Sequence, residues 1–206
     1  MMITKSLSIR MIRRPLVRFA VAVAAAAGLT ACNDTLGLKA YRSVVYDTLS
    51  AYGMTSSPVS FPVAYSASDG IVVRVDPSIA FDVAFDLTPD GRIRLIPARR
   101  IATTRITSGF VSNTPRVGMQ LVKGSFESMT KAPTGGYAYD STFVVGTGEG
   151  VVFELASDAC QYSLASQLYA KLVVDSVAPA RRQIYFRAVR DPNCGFRALT
   201  PGVPKS

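Results

Sequence analysis

The sequence predicts an all-β fold, an antiparallel β-sandwich or alternatively a β-barrel, over residues 41–200. Three observations predict it. Apolar residues recur at every second position in several separate stretches. Gly, Pro, Asp and Asn fall between those stretches as turn signals. No segment sustains an apolar period of 3.6 residues over a helical length. A body of this size can bury roughly two-thirds of its unfolded surface, enough for a real core. No composition break calls for a second domain, and no internal repeat is present.

Taken in order, residues 44–51 form the first expected strand. The Ser/Pro stretch 56–62 reads as a loop or an edge strand, and 71–75 as the next strand. The clearest signal follows. In Phe81-Asp82-Val83-Ala84-Phe85-Asp86-Leu87 the odd positions are apolar and the even ones small or acidic. Thr88-Pro89-Asp90-Gly91 supplies a turn, with Pro pre-set for its first corner and Gly free to take positive φ. A three-residue loop with a Gly bulge sets Leu87 opposite Ile93, Phe85 opposite Leu95 and Asp86 opposite Arg94. Pattern and turn give one register, with an apolar face and a solvated acid–base pair on the other. Further strands are expected at 117–126, 137–145 and 151–155, the last two as a hairpin about Gly146-Thr147-Gly148-Glu149-Gly150. The strands 168–177 and 183–189 form another hairpin about Ala178-Pro179-Ala180-Arg181. One helical turn is allowed for within 163–172. The total is eight to nine strands.

The N-terminus has a different character. Residues 1–31 hold Lys5, Arg10, Arg13, Arg14 and Arg18 and no acid, followed by the apolar stretch 19–28. The uncharged run of about 15 residues would span roughly 22 Å as a helix, short of the ~30 Å hydrocarbon core. A cleaved export signal helix is therefore expected, with the chain beyond it outside the cytoplasm. Leu29-Thr30-Ala31-Cys32 resembles the lipobox of bacterial lipoproteins at all four positions. The resemblance implies that Cys32 carries a lipid and becomes the acylated N-terminus, anchoring the chain stably through more than one acyl chain. The alternatives are an ordinary signal peptide cut at Ala31 or an uncleaved anchor. By the sorting logic of such lipoproteins, Asn33 rather than Asp after Cys32 leans toward the outer membrane over the inner. The expected organisation is a signal peptide at 1–31, a lipidated tether at 32–40, the sandwich at 41–200 and a C-terminal tail at 201–206. Leu168-Tyr169-Ala170-Lys171 and Asp191-Pro192-Asn193-Cys194-Gly195-Phe196-Arg197 are similar in flavour to small bacterial envelope lipoproteins with an all-β body, a resemblance that carries no activity.

With Cys32 taken by lipid, Cys160 and Cys194 remain, an even pair in an exported chain and most simply a disulfide. Closing that loop is worth roughly 3.5–4 kcal/mol in the chain-entropy model.

Composition narrows the chemistry. There are 23 basic and 14 acidic residues, but the chain from Cys32 onward keeps 18 of the former against 14, a net +4. There is no His, which excludes Ser-His and Cys-His nucleophile pairs and every His metal site. The Gly146–Gly150 run lacks phosphate-loop spacing and leads into a strand. Asp82 and Asp86, on one strand face about 13–14 Å apart, are too distant for a glycosidase pair; Asp140, Glu149 and Glu154 gather about one expected hairpin. Asp69, Asp76 and Asp90 are separate turn residues without a calcium-loop pattern. Arg99-Arg100, Arg181-Arg182 and the tyrosines Tyr137, Tyr139, Tyr162, Tyr169 and Tyr185 could meet anionic lipid, polysaccharide or peptide, or simply pack on strand faces. No catalytic, cofactor or metal residue is singled out, and nucleic acid is not an expected partner.

The expected function is a non-catalytic, membrane-anchored envelope lipoprotein that binds a protein or polysaccharide. One alternative is a carboxylate-dependent hydrolase of envelope polysaccharide or peptide. The other is an assembly role in which an edge strand pairs with another envelope protein.

Overall fold

The computed structural model describes residues 39–205 except 77 and 106–115. The expected signal segment, Asn33 and the lipidation candidate Cys32 lie outside the described residues. Among the described residues, eleven strands form two antiparallel sheets that stack as a sandwich and do not close into a barrel. The strands are β1 (Val45–Tyr52), β2 (Ala64–Ser66), β3 (Ile71–Val73), β4 (Val83–Leu87), β5 (Ile93–Pro97), β6 (Val117–Leu121), β7 (Ala138–Tyr139), β8 (Phe143–Val145), β9 (Gly150–Ala156), β10 (Gln167–Ala178) and β11 (Gln183–Asp191). An α-helix, α1 (Ala98–Arg105), follows β5. The six-stranded sheet runs β1-β11-β10-β9-β6-β7 and the five-stranded sheet runs β3-β2-β4-β5-β8.

The period-two reading is what packs the two sheets together. On β10, Leu168, Ala170, Leu172 and Val174 point inward to Phe153 and Leu155 of β9 and Ile184 and Phe186 of β11. Tyr65, Phe85, Ile93 and Leu95 answer them from the five-stranded sheet. Phe186 packs against both Tyr65 and Phe85, with ring centroids 5.4 and 5.0 Å apart. The odd-numbered positions of β10 from Tyr169 to Val173 are buried too. Tyr169 and Val173 join Val152 and Val189 under a cover of Phe126, Ala132, Tyr137 and Leu199. The far face of the five-stranded sheet is likewise closed, by Ala98 and Ile101 of α1 and by Phe81. Four layers result where two were expected. The added ones are irregular segments that strand periodicity does not announce.

The β4–β5 hairpin has the expected register: Phe85↔Leu95, Asp86↔Arg94 and Leu87↔Ile93. Thr88 and Arg92 close its loop, with the Thr88 N–H donating to the Arg92 carbonyl at 2.9 Å, and Gly91 sits at φ +79°. The β10–β11 hairpin also forms, with an extra residue, Asp175, bulging from β10.

Other expectations are corrected. The 137–145 stretch is two strands, not one. Asp140 takes φ +51° between them, and the break lets the chain change sheets: β7 pairs with β6, β8 with β5. The Gly146–Gly150 turn therefore joins β8 of one sheet to β9 of the other and is not a hairpin. Residues 122–126 leave the sheet after Leu121, and β3 ends at Val73. The strand β2 was not expected; its three residues are too few to display a period. Helix α1 has no mark in the sequence because its eight residues, ARRIATTR, hold a single large apolar side chain, Ile101, and so show no apolar period. Where a helical turn was allowed within 163–172, residues 163–166 are irregular, and a short 3-10 turn sits earlier, at Asp158–Cys160. Residues 201 and 202 are not a free tail. The Gly202 carbonyl accepts the Val44 N–H at 3.0 Å.

Gly91→Ala tests the hairpin loop. A Cβ there meets nothing within 4 Å, so the whole cost is the left-handed backbone. We expect a loss of about 1 kcal/mol in urea unfolding with an unchanged m-value.

Candidate functional site

The charged residues flagged in the sequence are mostly spent inside the framework. Asp82, expected on a solvated face, is buried. Its Oδ2 accepts the N–H groups of Ala67 at 2.7 Å and Ser68 at 3.2 Å. Burial pushes the Asp82 carboxyl up to about 6, against the opposing pull of those two donors. Asp86 has the expected cross-strand neighbour, Arg94, but not the expected solvation or partner. It is buried and accepts from Thr55 N and Oγ1 at 3.0 and 2.6 Å and from Arg182 Nη2 at 3.0 Å. Burial alone would raise its pKa; the bonds from Thr55 and Leu87 and the Arg182 guanidinium outweigh it, leaving the group below the usual carboxylate range.

The three acids around the expected 137–155 hairpin do not converge. Asp140 pairs with Arg99 at 3.3 Å and Arg116 at 3.5 Å, while its carbonyl accepts from Arg100 Nε at 2.7 Å. Glu149 accepts the Gly146 N–H at 2.6 Å and pairs with Arg92 at 3.1 Å. Glu154 lies on β9 between two tyrosines and accepts the hydroxyls of Tyr139 and Tyr169. Burial and then the Glu154 charge raise the Tyr169 pKa to about 12. Arg116 stacks over the Tyr139 ring at 4.6 Å, Tyr137 donates to the Pro133 carbonyl, and Tyr185 donates to Gln183. Of the five tyrosines singled out, Tyr162 alone stands almost wholly in solvent. Both basic doublets are engaged: Arg99-Arg100 on Asp140 and Arg182 on Asp86. Asp69 accepts from Ser66 and Asp76 from Ser78 and Arg74. Among the described residues no group of three or more acids and cysteines could hold a metal ion.

Cys160 and Cys194 come together with their sulfurs at bonding distance, 2.06 Å, and their Cα atoms 5.6 Å apart. The bridge ties the loop between β9 and β10 to the segment after β11. It packs against the inner core at one end of the sandwich.

Among the described residues, two adjoining features are open to a partner. The first is the edge of β1. Val44 N–H goes to Gly202 O and Tyr52 N–H to Pro62 O at 2.9 Å, while Gly53 N–H faces the other way, to Arg182 O at 2.7 Å. Backbone alternation then directs the N–H and C=O groups of Tyr46, Thr48 and Ser50 away from β11. These three positions form an uncapped window of main-chain donors and acceptors between the Gly202 and Pro62 caps. The second is a groove of about 250 Å³ beside that window, on the outer face of the sheet. Tyr46 and Thr48 of β1, Arg187 of β11, Lys171 of β10 and Thr200 contribute to its lining.

Lys171, which the sequence reading did not single out, is the hidden support of the groove. It is 2% exposed, and its Nζ donates to the Phe126 carbonyl at 2.6 Å and the Met129 carbonyl at 2.8 Å. It also lies 4.3 Å from the centre of the Phe126 ring, which Arg187 approaches at 5.4 Å. The clue in the sequence was a lysine inside an otherwise apolar strand.

Two measurements check this electrostatic reading. The folded pKa of Asp82 exceeds its unfolded value, so folding favours the protonated form. Its contribution is fully present below about pH 4 and is lost as pH rises through about 6, on the order of 2–3 kcal/mol. Asp82→Asn is expected to remove that fall from the stability–pH curve, read by urea unfolding across the same window. Lys171→Met leaves two covered carbonyls without a donor and is expected to cost about 2–4 kcal/mol by the same assay. The chain finds no match among known protein families, curated proteins or solved structures.

Proposed function

We propose that the chain is an exported, lipid-anchored envelope protein whose sandwich is a non-catalytic binding module. In this reading it takes an extended segment of an envelope protein onto the edge of β1. The observation that carries the binding reading is the window at Tyr46, Thr48 and Ser50. Strand addition at such an edge draws affinity from main-chain hydrogen bonds, and an adjoining pocket for alternate side chains gives specificity. The groove beside Tyr46 and Thr48 is placed for that second role. The window is short, and capped at Val44 and Tyr52, so it suits about five residues of flexible chain better than a second long, straight strand. The engagement of Asp82, Asp86, Glu149 and Glu154 in framework contacts favours binding over carboxylate hydrolysis. The anchor rests on Leu29-Thr30-Ala31-Cys32, and Asn33 favours the outer membrane over the inner.

Site-specific photocrosslinking in the native envelope tests the window. A photoreactive residue at position 48 is expected to trap a partner that the same residue at Thr147, on a remote exposed turn, does not. Thr48→Pro removes the central outward N–H at an edge where the fold tolerates proline, so the adduct trapped from a neighbouring position should disappear while the unfolding midpoint stays close to wild type. Equal trapping at both positions would overturn the reading. For the anchor, palmitate labelling is expected in the wild type and lost in Cys32→Ala; labelling that persists in the variant would refute lipidation at this cysteine.

A further inference from the structure

We infer that the end of the sandwich carrying Tyr41, Arg42, Tyr162 and Leu164 is the face that rests on an anionic bilayer surface, with the turn after Cys160 dipping among the headgroups. This rests on the lipid-anchored reading above and extends it from attachment to orientation.

The six-stranded sheet brings the parts of this face to one end. Val45 at the start of β1 lies opposite Arg190, Tyr169 near the start of β10 opposite Asp191, and Gln167 opposite Ala156 at the close of β9. Asn193, just past β11, binds the entering chain. Its Oδ1 accepts the N–H groups of Tyr41 and Arg42, both at 3.0 Å, and its Nδ2 donates to the Arg42 carbonyl at 2.8 Å. The next residue, Cys194, is bridged to Cys160, and Ser163 N–H closes a turn on the Cys160 carbonyl at 2.9 Å. The exposed side chains are therefore held on a stapled platform rather than on a loose loop.

That platform displays apolar surface to solvent. Tyr162 is 94% exposed, Leu164 85% and Tyr41 74%. None is needed to close the three buried clusters of the domain. Val59 is as exposed, but it follows Tyr52 at the other end of β1, away from the entering chain. What distinguishes the Tyr162 end is where the chain comes from. Lys39 lies seven Cα steps along the chain from Cys32. Fully extended they reach at most about 25 Å, so a lipid on Cys32 keeps this end near the bilayer. The chemistry fits the headgroup layer. Tyrosine carries an apolar ring and a polar tip suited to that depth, and leucine favours the acyl boundary. Lys39 and Arg42, both exposed, supply positive charge for anionic lipid, with Arg42 5.3 Å from the centre of the Tyr41 ring. Asp158 is the one acid in the 157–166 loop.

The chain contains no tryptophan, so Tyr162→Trp introduces a single fluorescent reporter. The full-length gene carrying Y162W is expressed and the product is purified from membranes. It is then reconstituted into vesicles of phosphatidylethanolamine and phosphatidylglycerol, with and without bromine on the acyl chains. We expect blue-shifted emission, quenched by the brominated lipid. T147W, on the remote turn, should keep solvent-like emission in both. Leu164→Ser added to Y162W should weaken the quenching. Solvent-like Y162W emission, or a blue shift that brominated lipid does not quench, would overturn the orientation. The mass of the N-terminal peptide of the same sample separates the two ideas. A peptide without lipid on Cys32 overturns the anchored reading, whereas a lipidated peptide with unquenched Y162W overturns the orientation alone.

Discussion

Strand β10 is buried on both faces, and the rest of the architecture follows from that requirement. Its even-numbered side chains close the space between the sheets, while Tyr169, Lys171 and Val173 need a second cover. The segment 122–137 and the residues around Leu199 supply it, although they have no regular structure of their own. A covering loop brings carbonyls that lose contact with water, and those carbonyls need donors. Lys171 meets the requirement from below. It passes through the apolar layer and holds Phe126 and Met129 by their main chain. The groove beside β1 is a consequence, since its floor is the sheet and one wall is this pinned segment.

The same pressure explains where the charges went. Folding took Asp82 and Asp86 out of solvent, and each then required internal donors. Asp82 found two backbone N–H groups and remains poorly compensated, so its proton is held more tightly than usual. Asp86 found Thr55 and Arg182, and is better satisfied. These acids fix loops to strands, which is also why they do not meet in a cleft.

What is left unspent lies at the periphery, in two places of different character. The β1 edge offers main-chain groups and suits a strand-like partner. The end that holds the disulfide offers exposed tyrosine and leucine beside basic residues, and suits a surface. The two uses are compatible, because the window at Thr48 lies along the side of the sandwich while Tyr162 lies at its tip. A module standing on its tip would leave its long edge free for a protein in the same compartment.

The sequence by itself determined the inner core. Alternation over a few residues specifies which side chain faces which sheet, and a turn with Pro and Gly at set positions fixes register, so the β4–β5 hairpin was legible to the residue pair. The pairing of Cys160 with Cys194 was legible by number, since they are the two cysteines of the strand-built body. Tertiary structure decided everything that depends on a second neighbour. Asp86 alternates as a solvated residue would, yet it is buried and bonded to Thr55 and Arg182, which lie 31 and 96 residues away in sequence. Asp140 breaks a promising strand because the chain has to cross between sheets at that point. The open window at Tyr46, Thr48 and Ser50 has no sequence mark, since an edge is defined only by the strand that fails to arrive. Local patterns encode one face of an element. Burial of the opposite face, and the freedom of an edge, are set by distant segments whose positions only the assembled fold provides.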